Sequence, residues 1–372
     1  MTHAPARLLL SGYYGFGNFG DEAILRVFVE QWRARRPADT IVALSATPRE
    51  TAKAYGIEAV ARMNASAVGH AIRDADLVVS GGGGLLQSAT SLRSLLYYTG
   101  IIREAKRAGK PAVIFAQGIG PLDFLGKQVV KRTCFDIDLA IVRDEASAAL
   151  LAPLVPKVAI EVAADPVFLA SDAVDDAAVR LLEREGVTAA GGELITVVVR
   201  KSPLTERIAG ELAAGIDRLA KEHGARVVFV PLHRPDDAEA AIDVIRRCKT
   251  APTLLGGGYD LPTMTALFAR SAAVVSMRLH ALILAARLRV PMLAIPYDPK
   301  VSALLETLSY PLPPLDRGVA GPKLFDRLWA DRAALSSALA GSVDSMARRA
   351  ACGFDRLATV AEGAVAEALK RP

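Results

Sequence analysis

Short apolar strands alternate with amphipathic helices along nearly the whole chain, and this alternation restricts the fold more than any other feature. Strands separated by helices pair in parallel and bury both faces, so the class is α/β. In the first half, strands are expected near Arg7–Tyr13, Thr40–Leu44, Leu77–Ser80, Pro111–Gln117, Leu139–Val142 and Val158–Val162. Periodicity fades after Asp165-Pro166, and a second series follows near Leu194–Val199, Arg226–Pro231, Thr253–Leu255, Ala273–Ser276 and Pro291–Tyr297, with a helix over Leu261–Ala269. The Ala-rich tail from Asp331 to Lys370 reads as one long helix or two. A length of 372 residues exceeds what one core usually serves. The expected layout is a first domain over 1–170, a second over 171–340 and a terminal helix over 341–372 that returns to the first. Two Rossmann-like, doubly wound parallel sheets would then face a cleft with their carboxyl-end rims.

Charge narrows the partners. The net charge is +5 with a pI near 9.1, and no dense Lys/Arg tract or aromatic interleaving accompanies it. This suits anionic substrates, or loose attachment to an anionic membrane surface, and does not suit a nucleic-acid groove. Cys134, Cys248 and Cys352 lie far apart without CxxC pairing, so they are expected to be reduced, buried or half-buried, and not zinc ligands. No apolar run approaches the ~20 residues that span a bilayer. With no signal-peptide core before Leu8, the expected location is cytoplasmic, with peripheral contact at the inner membrane face.

The strongest chemical signal lies late in the chain. The run Ala272–Ser276 ends at Arg278-Leu279-His280, where a helix begins, and the next strand ends at Tyr297-Asp298-Pro299-Lys300. In a parallel sheet both ends open on one rim, so two fixed cations and an imidazole converge there. That combination suits a small, highly charged anion with proton chemistry attached. The alternative is a capped helix with incidental charges.

Two glycine-rich turns follow strands in the first half: Gly12-Tyr13-Tyr14-Gly15-Phe16-Gly17-Asn18-Phe19-Gly20, and Gly81 to Gly84 before Leu85-Leu86-Gln87. Neither fits the dinucleotide or P-loop fingerprint. Bare backbone lets amides approach a sugar or phosphate closely, which makes Gly15, Gly17, Asn18, Gly83 and Gln87 acceptor-side candidates. Asp21 either meets the ligand or caps the following helix. Arg143 ends a strand before a helix capped by Asp144, and is either a rim cation or a surface arginine paired to acidic neighbours. His233, at another strand end, is expected to line the cleft. No HxxxH or HExxH spacing signals a metal site. His3, His70 and His223 read as tail, helix and loop residues without a role.

Together these segments resemble the polysaccharide pyruvyl transferase family, particularly its CsaB-like branch, which prepares secondary cell wall polymers for S-layer attachment. The matching pieces are Gly12–Leu25, Ser80–Gln87, Gln117–Pro121, Val142–Asp144, Ala164–Pro166, Met277–Ile283 and Tyr297–Val301, in the family's order. The resemblance implies a GT-B-like fold and a transferase with no cofactor and no metal. Such an enzyme moves an enolpyruvyl unit from phosphoenolpyruvate to a sugar as a cyclic ketal. It places Arg143, Arg278, Leu279, His280 and Lys300 on donor-binding positions; the chemistry of the donor then makes His280 the expected general acid, with Asp21 the candidate base. It implies an acceptor of the undecaprenyl-diphosphate-linked disaccharide type carrying N-acetylmannosamine, pyruvylated at the 4- and 6-hydroxyls. Where relatives carry an Arg-Pro-Trp-like stretch, this chain has Arg200-Lys201-Ser202-Pro203, a loop placed to touch the acceptor. Two rivals keep some of these features: a nucleotide-sugar glycosyltransferase of the same fold, and a non-catalytic module for anionic glycans.

Overall fold

The computed structural model describes residues 4–89, 91–188, 192–316 and 321–368; His3 lies outside them. The chain divides into two compact units, Met1–Leu169 together with Met346–Pro372, and Ala170–Ser345.

The first unit is a seven-stranded parallel sheet. Its strands are β1 (Arg7–Tyr14), β2 (Thr40–Ser45), β3 (Glu58–Ala61), β4 (Leu77–Gly81), β5 (Ala112–Gln117), β6 (Leu139–Val142) and β7 (Ile160–Val162). They lie in the order β3-β2-β1-β4-β5-β6-β7. The connecting helices are α1 (Phe19–Arg35), α2 (Pro48–Tyr55), α3 (Ala65–Asp74), α4 (Leu92–Arg107), α5 (Phe124–Thr133) and α6 (Glu145–Leu151). The sequence foretells six of these strands and misses β3. That strand is a short edge element with no buried residue, so it lacks the apolar run that marks the others.

Alternation along each strand divides the core in two. Leu9, Val42, Val78, Ile114 and Ala140 face one layer, while Leu8, Leu10, Ile41, Ala43, Val79, Val113, Phe115 and Ile141 face the other. Helices close both layers, which is why these strands read as unbroken apolar runs.

The second unit begins with α7 (Asp176–Arg184) and carries β8 (Leu194–Val198), β9 (Arg226–Phe229), β10 (Thr253–Leu254), β11 (Ser271–Ser276) and β12 (Met292–Ala294). All pairings are parallel, in the order β10-β9-β8-β11-β12. Helices α8 (Pro203–His223), α9 (Asp236–Ile245), α10 (Leu261–Ala269), α11 (Leu279–Arg287), α12 (Pro299–Thr307) and α13 (Gly321–Ala330) complete it. His223 is the last residue of α8, not a loop residue, and its ring stacks on Trp329 at 4.7 Å. Cys134 is buried and Cys248 half-buried as expected, but Cys352 is exposed.

The tail is a single helix, α14 (Arg332–Ala368). Its residues from Met346 onward belong to the first unit, where Phe354, Leu357, Ala361 and Val365 join the layer formed by Phe28, Trp32 and Phe115. The Phe354 ring lies 4.8 Å from Phe115 and 5.5 Å from Phe28. The Arg35–Asp355 and Arg356–Glu161 ion pairs flank this seam but are largely solvated, so apolar burial carries the attachment. Phe354→Ala is expected to destabilise the protein by about 3–5 kcal/mol, read as a lowered midpoint in denaturant or thermal unfolding.

Candidate active site

In each sheet the strand order reverses direction once, between β1 and β4 in the first unit and between β8 and β11 in the second. Helices that leave to opposite faces part at such a point and expose a crevice at the carboxyl ends of the strands.

In the second unit, the reversal is flanked by cations. Arg200 follows β8, Arg278 and His280 follow β11, and Tyr297 and Lys300 follow β12. The Arg278 guanidinium grips Asp237 through Nε (3.0 Å to Oδ2) and Nη2 (to Oδ1), a two-point ion pair. Asp237 is fully buried, and its Oδ2 also accepts from the backbone N–H of Leu232 (3.3 Å) and of His233 (3.0 Å). A buried carboxylate is tolerated only when paired and hydrogen-bonded in this way. Asp237 therefore locks the arginine's orientation and leaves the remaining guanidinium edge for a ligand. The backbone of Arg278 is held as well, since its N–H donates to Ser276 Oγ at 2.9 Å. No side chain caps α11 at Arg278, so the positive end of that helix adds to the field beside Leu279 and His280, both half-buried.

Arg200 lies over the Tyr297 ring at 4.4 Å, and its Nε is buried without a hydrogen-bond partner among the described residues. Because β11 lies between β8 and β12, this cation–π pair spans the strand end from which Arg278 emerges. Its carbonyl is held by the Thr205 hydroxyl at 2.5 Å. Lys300 stands in the first turn of α12, with its N–H on the Asp298 cap at 2.9 Å. His233 is half-buried at the end of β9 and contributes its backbone amide to Asp237.

In the first unit, both glycine-rich turns flank the β1–β4 reversal. Gly82 and Gly83 have φ of +54° and +71°, and a Cβ there would lie 2.2 Å from Ile24 and 2.7 Å from Asp21 Oδ1. Two of the four consecutive glycines are thus needed for packing against α1, in addition to any ligand contact. Asn18, not Asp21, caps α1, accepting from the Gly20 N–H at 3.1 Å. Asp21 stands in the first helical turn against Gly83, and its charge, after burial, helps raise the Tyr13 phenol above its ordinary value. Gly15 donates its N–H to Glu22 at 2.8 Å, Gly17 faces open space, and Gln87 is half-buried.

A bulge in β5 places Ala116 at φ +51°, a strained value for a residue with a Cβ, and sets Gln117 beneath the rim. There Gln117 Nε2 donates to Ser80 O and Oγ at 2.7 and 2.8 Å. Arg143 is not a surface arginine. It is 9% exposed, pairs with buried Asp165 at 3.4 Å, and packs so tightly on Gly118 that a Cβ there would meet its Nη2 at 2.3 Å. Asp144 caps α6 as expected, accepting from Ser147 N at 2.8 Å.

Sequence reasoning did not single out an aromatic cluster on the same rim. Tyr13 and Phe16 stack at 4.1 Å and 9°, and Arg62 lies 4.9 Å from Phe16 and 4.2 Å from Tyr97. Arg62 also donates to the Tyr98 hydroxyl at 3.2 Å. Burial pushes the Tyr98 phenol up to about 12 against the opposing pull of Arg62, so it remains a neutral donor and acceptor. Phe16 is 40% exposed and gives the cluster an open aromatic face. The available signal was the density of aromatics in Tyr13-Tyr14-Gly15-Phe16 and Tyr97-Tyr98, although Tyr14 itself is core. Among the described residues, no group of three or more His, Cys, Asp or Glu side chains could hold a metal ion.

The fold is shared with solved structures of low sequence identity, all GT-B-like. A UDP-GlcNAc 2-epimerase from Neisseria meningitidis, bound to UDP-GlcNAc, superposes with a TM-score of 0.63 at 12% identity, covering 95% of this chain and 100% of the other. Anabaena HepE in complex with UDP-glucose gives 0.60 at 12% identity over 98% and 99%. A glycosyltransferase from Rickettsia africae gives 0.66 at 10% identity over 98% and 99%. No curated protein matches the sequence. The polysaccharide pyruvyl transferase family model does match, over residues 18–299, a span that takes in the end of the first glycine-rich turn from Asn18, the β8–β11 reversal and the Arg278–His280 turn. The chain is therefore a member of the polysaccharide pyruvyl transferase family, a family of transferases.

Proposed function

We propose that this protein transfers an enolpyruvyl group from phosphoenolpyruvate to a sugar, closing a 4,6-ketal and releasing phosphate. The observation that carries this reading is the set of Arg200, Arg278, His280 and Lys300 at neighbouring strand ends around one topological reversal. Phosphoenolpyruvate holds a carboxylate and a phosphate a few bonds apart, and converging cations with a fork geometry match both. Arg278, oriented by Asp237, takes one anionic group. Lys300 and the open end of α11 beside Leu279 serve the other. Arg143, in the first unit, is assigned to the donor on the family resemblance.

His280 protonates the donor's methylene carbon, which leaves an oxocarbenium-like centre at the adjacent carbon. A sugar hydroxyl forms a bond to that carbon and loses its proton to a base, for which Asp21 is the candidate. The carbon–oxygen bond to phosphate then breaks, and the second hydroxyl of the same sugar replaces it, its proton leaving with the phosphate. Methylene has become methyl, and two hydroxyls have become the ketal. On the acceptor side, Gly15, Gly17, Asn18, Gly83 and Gln87 supply backbone and polar contacts, and the Tyr13–Phe16 pair offers a face for a pyranose ring. His233, expected from the sequence to line the cleft, is a further candidate for the acceptor. The acceptor proposed is a lipid-linked disaccharide bearing N-acetylmannosamine, as in the CsaB-like branch, which places the enzyme at the cytoplasmic membrane face.

A second reading replaces the donor with a nucleotide sugar, and the UDP-sugars bound by the Neisseria and Anabaena neighbours favour it. One assay separates the two. Acceptor-dependent phosphate release from phosphoenolpyruvate supports the first, whereas turnover of a UDP-sugar with no phosphoenolpyruvate dependence supports the second.

His280→Ala is expected to lower kcat by about 100-fold or more while phosphoenolpyruvate still binds, measured by phosphate release and by calorimetric titration. Arg278→Ala should raise the KM for phosphoenolpyruvate by about 100-fold, and Asp237→Asn, which keeps the shape of the side chain but weakens its grip on the arginine, by about tenfold. Gly118→Ala pushes the Arg143 guanidinium from its seat and off buried Asp165, so it should both weaken donor binding and lower stability, the two effects separated by pairing KM measurements with thermal unfolding.

A further inference from the structure

We propose that the outward face of α5, with the adjoining end of α4, is a docking surface for an anionic lipid bilayer. Phe124, Leu125 and Phe135 are 74%, 57% and 57% exposed, although most large apolar residues of this unit are buried. Single exposed apolar side chains are ordinary, but three on and beside one short helix are not. Phe124, Lys127 and Lys131 follow one another at i, i+3 and i+7, and Phe135 continues that line just past the helix. Leu125 and Arg132 flank it, and Lys127, Lys131 and Arg132 are all exposed, with no ion pair among the described residues. The stretch from Phe124 to Phe135 contains no Asp or Glu. Neighbouring α4 packs against α5 and exposes Leu92, Arg93 and Leu96 near its own start.

Aromatic and aliphatic side chains interleaved with unpaired cations match the boundary between lipid headgroups and acyl chains. The rings enter the boundary while the ammonium groups meet anionic headgroups. A second copy of this chain is a poorer occupant, because a two-fold contact would set the same three cations against their symmetry mates. The start of α5 is also tied to the acceptor-side loop. Asp123 N donates to Ser88 Oγ at 2.9 Å and Ser88 N to Pro121 O at 3.0 Å, one residue beyond Gln87. A bilayer on this face would thus present sugars from lipid-diphosphate carriers to the loop after β4. That use rests on the lipid-linked acceptor proposed above, whereas the surface itself does not.

The test is co-sedimentation of the full-length protein, without substrates, with phosphatidylcholine vesicles with and without phosphatidylglycerol. The wild type is expected to bind the phosphatidylglycerol vesicles and to lose binding in high salt. Both Phe124→Ser/Leu125→Ser/Phe135→Ser and Lys127→Glu/Lys131→Glu should weaken that binding by about tenfold or more. The same variants should retain turnover of a short soluble acceptor. Arg348→Glu, at an exposed position of α14, should bind as the wild type does. Wild type that ignores anionic vesicles overturns the proposal, as does equal binding by the α5 variants or loss of binding in Arg348→Glu alone. A concentration-dependent dimer in ultracentrifugation, abolished by the triple serine variant, would assign the face to a second copy instead. Because vesicle binding is read without turnover, a failed pyruvyl-transfer assay leaves this result standing, and the reverse holds as well.

Discussion

Parallel strands covered by helices on both faces leave chemistry almost nowhere to reside except at the strand ends. Nearly every residue of β1, β4, β8 and β11 is buried. The polar work of the molecule is therefore pushed into the turns that leave the carboxyl ends, and most of all into the turns beside each reversal of strand order. In the first unit those turns are glycine-rich and flanked by aromatics. In the second they carry arginine, histidine and lysine. The two rims are thus chemically unlike, one lined mainly by glycine backbone and aromatic rings and the other by cations.

The cation rim depends on a carboxylate that no ligand need ever touch. Asp237 is wholly buried and receives two backbone amides besides the Arg278 fork. Its negative charge lowers the local cost of holding Arg278, Arg200 and Lys300 at adjacent strand ends, where mutual repulsion would otherwise spread them. The stacking of Arg200 on Tyr297 serves the same end by another route, since a π face holds a guanidinium without neutralising it. Side chains held in this way keep their geometry without a ligand and need little reorganisation when one binds.

Much of this was legible in the sequence. Strands buried on both faces announce themselves as apolar runs, and the Arg278–His280 and Tyr297–Lys300 turns could be placed on one rim from strand ends alone. What escaped has specific causes. β3 is an edge strand without buried residues, so no pattern marks it. Asp237 lies 41 residues from Arg278, and only strand order joins them. The Arg62 cluster draws on three elements, no two of which are sequence neighbours. The cap of α1 fell to Asn18 because the helix starts two residues before Asp21, a boundary that local composition leaves ambiguous. For Arg143 the sequence leaves rim cation and surface arginine both open, because its seat, Gly118, acts through absence of a side chain.

The terminal helix sets an order on biosynthesis. The layer containing Phe28, Trp32 and Phe115 stays open until Phe354 and its neighbours have left the ribosome. The unit translated first is consequently the one whose interior is sealed last. During elongation that half must persist as a sheet with one greasy face uncovered, the kind of nascent species on which holding chaperones act.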